Sequence, residues 1–134
     1  MVRFCAAASL IFFCVAAIGQ ENPERILQAA IGLHQAGKAE QAIPQYRAYL
    51  KLRPEAVDAR SNLGVALAST GTYGEAIAEY REALKGLPQD QRIRLNLATV
   101  YYRLGRRADG DREKALSQKL TMERRAKQYQ GKIE

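Results

Sequence analysis

His34 is the residue with the most obvious potential for chemistry, because it is the only histidine among 134 residues. A metal or catalytic site needs several convergent groups. No acidic residue stands three or four positions from His34, the spacing that places two side chains on one helix face. Both cysteines, Cys5 and Cys14, lie in an apolar segment at the amino terminus. The sequence therefore predicts no metal binding and no catalysis at His34.

Other patterns that carry enzyme chemistry are also missing from the sequence. It contains no glycine-rich phosphate loop after a strand, no paired carboxylates with an obvious cleft, and no nucleophile with a histidine and an acid placed around it. We therefore expect no enzymatic activity, no cofactor and no small-molecule substrate.

Basic residues concentrate in the second half of the chain. Residues 20–90 contain eight Lys or Arg and nine acidic residues, whereas residues 91–134 contain twelve and five. Such a segment attracts acidic partners, anionic lipid or nucleic acid through its long-range field. Alternatively, the charges only keep a terminal helix solvated. Because no aromatic residues are interleaved with the charges in a nucleic-acid-binding pattern, nucleic acid is not an expected partner.

The elements that would position these side chains recur at one fixed interval of 34 residues. Gly37, Gly71 and Gly105 mark the interval most clearly. Apolar and small residues follow the same interval: Ala42, Ile43, Tyr46, Leu50 and Pro54 return as Ala76, Ile77, Tyr80, Leu84 and Pro88, and Asn62 and Leu63 return as Asn96 and Leu97. The composition favours helix over strand. The sequence thus predicts one helical unit that occurs three times.

This pattern resembles the tetratricopeptide repeat, whose signature is W-x2-L-G-x2-Y…A-x3-F…P. Arg60 stands in place of the tryptophan, and the remaining marks of the central unit fall on Leu63-Gly64, Leu67, Ala76, Tyr80 and Pro88. The resemblance covers most of the chain after residue 19. It implies an all-α fold: a right-handed stack of about three helix-turn-helix repeats, closed by a polar C-terminal capping helix.

The interval also sets the expected domain boundaries. A repeat domain is predicted at residues 20–124, followed by a polar tail at residues 125–134 that we expect to fray. The three repeats are expected at residues 23–56, 57–90 and 91–124.

Local signals mark the second helix of the middle repeat and the last helix of the chain. Thr72 and Glu75 match a capping box at the start of the former, and Gly86 is typical of a left-handed helix end. In the third repeat, Gly110 and Lys114 replace the alanine and tyrosine of the earlier repeats. The last helix is therefore expected to present a polar face.

The resemblance further implies a concave surface, lined by the first helix of each repeat, that holds a peptide or protein partner. Ten residues take the family's groove positions: Leu27, Ile31, His34, Asn62, Val65, Ser69, Asn96, Thr99, Tyr102 and Arg103. Asn62 and Asn96 either contact the ligand or bond to neighbouring backbone.

One version of this groove clamps a terminal carboxylate with lysine and asparagine from the first helix. That clamp is not expected here, because Leu27 and Ile31 occupy those places. Asn62, Arg92 and Asn96 leave a weaker anion site open.

The first nineteen residues have the marks of a secretory signal peptide. Arg3 precedes an apolar run from Phe4 to Ile18, which is shorter than the roughly 20 residues that a membrane-spanning helix needs. Small residues at positions 17 and 19 fit a cleavage site after Gly19. We therefore expect export to the periplasm or the cell exterior, with an uncleaved membrane-anchored amino terminus as the alternative.

These observations predict an exported, non-enzymatic interaction module, an adaptor or assembly factor that binds a protein or peptide in its concave groove. The alternative is a protein that associates with an anionic membrane or another polyanion through its basic segment at residues 103–132.

Overall fold

The structure, a computed structural model, describes residues 22–132, so the expected signal peptide lies outside the described residues. This part of the chain folds into consecutive α-helices without a β-strand. The helices are α1 (Pro23–Gln35), α2 (Ala39–Leu52), α3 (Val57–Ser69), α4 (Tyr73–Gly86), α5 (Gln91–Arg103) and α6 (Arg107–Gln130). Each helix packs against the next in the chain. The predicted all-α repeat stack is confirmed.

The turn within each repeat contains a glycine in the left-handed conformation. The φ angles of Gly37, Gly71 and Gly105 are 74°, 80° and 73°. The residue after each glycine donates its backbone N–H, over 2.9 Å, to a carbonyl five residues earlier, which satisfies a free acceptor at the helix end. One turn used three times thus explains the 34-residue interval of the glycines.

The core is built from the small and apolar positions that recur with the repeat. Ala42 and Ala76 have no exposed surface, and Tyr46 and Tyr80 are 1% exposed. At Gly64, an added Cβ would lie 2.7 Å from the Tyr80 ring, so only glycine lets α3 and α4 approach this closely. The small residues at these motif positions therefore allow the helices to approach closely.

Two arginines are largely buried, and each connects its own repeat to the preceding one. Each guanidinium donates one hydrogen bond to the carbonyl of the proline near the end of the preceding repeat and one to a glutamate on the second helix of its own repeat. The bonds from Arg60 to Pro54 and Glu79 are 2.8 and 3.0 Å long, and those from Arg94 to Pro88 and Glu113 are 2.7 and 2.8 Å long. These contacts replace the packing of the tryptophan that the motif carries at this position.

The start of α4 differs from the sequence prediction. Thr72 is the residue before the helix, but its side chain caps no backbone N–H, because its backbone (φ −84°, ψ 61°) lies outside the extended region that capping residues use. Its hydroxyl lies 3.3 Å from the Thr70 hydroxyl instead, and Glu75 forms an ion pair with Arg47 of the first repeat. The predicted capping box is therefore wrong.

Gly86 also serves a different purpose from the predicted one. It is the last residue of α4 and does not have a positive φ angle. An added Cβ would lie 2.7 Å from Cγ2 of Val57, the first residue of α3. A close contact between two helix ends, rather than a left-handed turn, explains this glycine.

Helix α6 continues to Gln130, beyond the point near residue 124 where fraying was expected. Gly110 and Ser117 are buried on its inner side. Helix α2 carries Ile43, Tyr46 and Leu50 at three positions of the repeat, and α4 carries the same residue types there. At the equivalent positions of α6 the residues are polar and exposed: Asp111, Lys114 and Gln118. This face offers no apolar surface on which a further repeat would pack, as a terminal helix requires. Between residues 22 and 132, no helix combines the length and the apolar character needed to cross a membrane.

We predict that Gly71→Ala destabilises the protein and that Gly32→Ala does not. Alanine at φ 80° is strained by about 1–2 kcal/mol, which lowers the unfolding midpoint by several degrees in a domain of this size. Gly32 lies inside α1 with no atom within 4 Å of an added Cβ, so alanine there raises helix propensity by up to about 1 kcal/mol. Thermal unfolding followed by circular dichroism measures both shifts. Midpoints that move in the same direction would contradict the role of the glycine turn.

Candidate functional site

The first helices of the three repeats, α1, α3 and α5, lie along one side of the stack. Helix α3 packs directly against α5, whereas no comparable packing joins α2 to α4 or α4 to α6 in the described part of the chain. Helices α1 and α3 line one pocket and α3 and α5 another, and this side corresponds to the concave side of other repeat stacks. We call the exposed surface of α1, α3 and α5 the inner groove.

Two pockets lie in the inner groove. The first pocket is between α1 and α3, and the second pocket is between α3 and α5. We call α1, α3 and α5, the first helices of the repeats, the A helices. Each pocket is lined by an aliphatic residue of one A helix, a tyrosine of the following helix and an asparagine of the next A helix. These residues are Ile31, Tyr46 and Asn62 in the first pocket, and Val65, Tyr80 and Asn96 in the second. Each residue of this set in the first pocket is 34 positions before its counterpart in the second, so the pocket recurs with the repeat.

Tyrosine side chains form the inner end of both pockets. Burial raises the pKa of Tyr46 above its ordinary value and the pKa of Tyr80 to about 12, because the charged phenolate is poorly solvated there. Both hydroxyls are thus protonated at neutral pH, and each has a proton to donate to a hydrogen-bond acceptor.

The two pockets differ in the residue that lies beside the tyrosine. In the first, His34 Nδ1 lies 3.4 Å from the Tyr46 hydroxyl, and the two rings meet edge to face with centroids 6.0 Å apart. In the second, Ala68 takes the place of the histidine. Within residues 22–132, no hydrogen bond reaches the Tyr80 hydroxyl, and this oxygen is not sealed from the pocket. The second pocket therefore has a hydrogen-bond donor that no residue of the described part uses.

The structure brings eight of the ten sequence-predicted residues together in these pockets. Ile31, His34 and Asn62 line the first pocket. The second is lined by Val65, Ser69, Asn96, Thr99 and Arg103.

The other two predicted residues lie elsewhere. Leu27 packs partly buried against the core. The Tyr102 ring lies over Gly110 of α6, and its hydroxyl donates a 2.8 Å hydrogen bond to Asp111, which raises the pKa of Tyr102. Tyr102 therefore joins α5 to α6 rather than lining either pocket.

The polar residues expected to bind an anion are also separated. Arg92 lines neither pocket and pairs with Asp58, 3.1 Å away in the preceding repeat. The amides of Asn62 and Asn96 make no hydrogen bond within the described residues, including none to neighbouring backbone. Arg103, at the end of α5, is the cation that lines the second pocket.

Sequence reasoning missed Tyr46 and Tyr80 as pocket residues. The sequence places them among the recurring apolar positions and not in the groove, and both are almost fully buried. Their recurrence beside Asn62 and Asn96 at the same interval was the available signal, because a pocket between repeats must recur with the repeats. His34 belongs to no group of potential metal ligands in residues 22–132.

The comparisons with known proteins agree with this architecture. A protein-family model described as tetratricopeptide repeat matches residues 27–91. No curated protein matches the sequence. Among solved structures, MamA AMB-1 has a TM-score of 0.74 at 24% identity, over 76% of this chain and 60% of that one. The chain spans 56% of the length of another MamA structure, the D159K mutant, with a TM-score of 0.73.

A second group of similar structures contains SycD, a type III secretion translocator chaperone of Yersinia enterocolitica. Its TM-score is 0.70 at 24% identity, over 73% of this chain and 74% of SycD. One SycD structure is a complex with a peptide of the translocator YopD, again with a TM-score of 0.70 and 24% identity, over 72% of this chain and 74% of that one. The structural matches show the same fold, and the family-model match at residues 27–91, together with the three glycine turns and the recurring core, identifies the chain as a tetratricopeptide repeat protein.

Proposed function

We propose that this protein binds a peptide segment of a partner protein in the inner groove, as an adaptor or assembly factor without catalytic chemistry. The observation that carries the proposal is the pair of pockets related by the repeat. Pockets in series along one groove accept successive side chains of a single segment, because the repeat that forms one pocket also sets the position of the next.

The chemistry of each pocket suits a peptide. Ile31 and Val65 are half-buried and supply apolar contact for a side chain. Asn62 and Asn96 offer an amide that both donates and accepts, which matches the N–H and C=O groups of a peptide backbone. Apolar walls with a few convergent polar groups are typical of ligand sites in proteins.

The SycD complex supports this proposal by analogy. A protein of the same fold is seen there with a peptide of its translocator. For the present chain, the analogy indicates the class of ligand, a segment of another protein, and does not identify the partner.

We further propose that the protein works outside the cytoplasm, in the periplasm or beyond it. This part rests on the apolar leader at residues 1–19. Mass spectrometry of the protein from its native envelope tests it: a mature chain that begins at Gln20 is expected, and a chain that retains Met1 would favour the anchored alternative.

Selection from a random peptide library on the purified chain from Gln20, which keeps all six helices, tests groove binding. We predict that Val65→Glu lowers recovery of the enriched peptides at least tenfold, because its long charged side chain occupies the mouth of the second pocket. Leu116→Glu is the matched control, since Leu116 is 38% exposed and lies on α6 outside the groove. Equal recovery on Val65→Glu and on the unchanged protein would contradict binding in the inner groove.

A second candidate function is association with an anionic surface through residues 103–132. The C-terminal part of α6 carries exposed Arg124, Arg125 and Lys127, and two large apolar side chains there, Met122 and Tyr129, are 68% and 75% exposed. Basic residues beside exposed apolar ones are typical of helices that lie on membrane surfaces.

Co-sedimentation with phosphatidylglycerol-containing vesicles tests this second function. Binding is expected at low salt and should weaken as salt is raised, because the Debye length falls to about 8 Å at physiological ionic strength. The triple change of Arg124, Arg125 and Lys127 to Gln should abolish it. Binding that depends neither on salt nor on these three residues would exclude this function.

A further inference from the structure

The second pocket is the part of the inner groove where hydrogen-bond donors and a positive charge converge. We propose that this pocket binds a carboxylate of the peptide ligand, either an Asp or Glu side chain or the chain terminus, with Tyr80, Asn96 and Arg103 as its partners. The inference rests on the proposed function and specifies which ligands the groove selects.

Tyr80 supplies the first donor. Its side chain is 1% exposed, yet its hydroxyl makes no hydrogen bond within the described residues and reaches the pocket surface. Because this oxygen is open to the pocket, water can bond to it, and a carboxylate that enters the pocket takes the place of that water as the acceptor. In the first pocket the equivalent hydroxyl already has His34 as its partner.

Arg103 supplies the charge. The other two arginines of α5 are used within the protein, Arg92 with Asp58 and Arg94 with Glu113. Arg103 makes no ion pair with any residue from 22 to 132, and none of the residues that line the second pocket is acidic. A guanidinium without an internal partner at the edge of a pocket is suited to bind a carboxylate.

Arg103 also offsets the helix dipoles. The pocket borders Ser69 and Arg103, the last residues of α3 and α5. Negative partial charge at these helix ends acts against an anion. A carboxylate therefore requires the arginine, and removal of its charge should eliminate the preference for acids rather than merely weaken it.

The apolar walls favour an acid carried on a peptide over a free ion. Val65, Ala68 and Val100 line the same pocket and contact the methylene groups of a glutamate side chain. The first pocket has no lysine or arginine among its lining residues, so it is expected to take an uncharged side chain. The position of the acid would thus fix the register and direction of the peptide.

Two random peptide libraries, one with free C-termini and one with blocked C-termini, test the inference on the purified chain. We expect the unchanged protein to enrich an acidic group at a fixed distance from an apolar residue. Enrichment in both libraries assigns a side-chain carboxylate, and enrichment only with free C-termini assigns the chain terminus. Arg103→Gln should remove the acidic preference but keep the apolar one, and Arg103→Glu should replace it with a preference for lysine.

A synthetic peptide from the selection gives the quantitative test. Replacing its acid by the matching amide should weaken binding at least tenfold on the unchanged protein and less than twofold on Arg103→Gln. Tyr80→Phe, which removes only the hydroxyl, should weaken the acidic peptide more than its amide form. Arg112→Gln, on the exposed surface of α6, is the control and should leave both affinities unchanged.

The outcomes separate this inference from the proposed function. If the unchanged protein and Arg103→Gln enrich the same peptides without an acid, the groove binds peptides and the carboxylate site is wrong. If no peptide is enriched on either protein, both the proposed function and the inference are overturned.

Discussion

The burial of Tyr46 and Tyr80 between successive A helices is the contact on which both the stack and its groove depend. Each ring is 1% exposed and lies where one repeat meets the next. A single two-helix unit has too little apolar surface to cover such a residue, so neighbouring repeats must supply the rest. The third repeat carries the exposed Lys114 at this position, and the series of tyrosine pockets ends there. The same side chains thus determine where repeats pack and how many pockets the groove contains.

The arginines Arg60 and Arg94 then fix the spacing between repeats. Each bonds to the end of the preceding repeat and to the second helix of its own. Charge-assisted hydrogen bonds have narrow geometric requirements, so these contacts limit rotation of one repeat against the next. A groove that selects ligands by the distance between two pockets needs this constraint, because a change in the angle between repeats changes that distance.

Prediction from the sequence succeeded wherever one physical requirement recurred with the repeat. Gly71 and Ala76 could be placed because a left-handed turn and a close helix contact each accept few residue types. It failed where a residue had two possible partners that only the fold distinguishes. Thr72 matches a capping motif, but its backbone dihedrals prevent capping. Tyr102 has the position of a groove residue, yet the small Gly110 on α6 allows its ring to pack there.

The sequence did not predict that Tyr46 and Tyr80 line pockets or that Arg60 and Arg94 connect repeats, and the reason is related. A buried tyrosine is normally interpreted as core, and an arginine as surface. Pairing the recurrences would have revealed both: Arg60 and Glu79 recur together as Arg94 and Glu113, and Tyr46 and Asn62 recur together as Tyr80 and Asn96. Contacts between repeats can therefore be predicted from the sequence when pairs of residues, rather than single residues, are compared at the repeat interval.

The most direct test of the central claim is a crystal structure of the protein with the peptide most enriched in the library selection. The peptide is expected along α1, α3 and α5, with one side chain in each pocket. A peptide bound against α2, α4 or the exposed surface of α6 would contradict the assignment of the inner groove as the functional site.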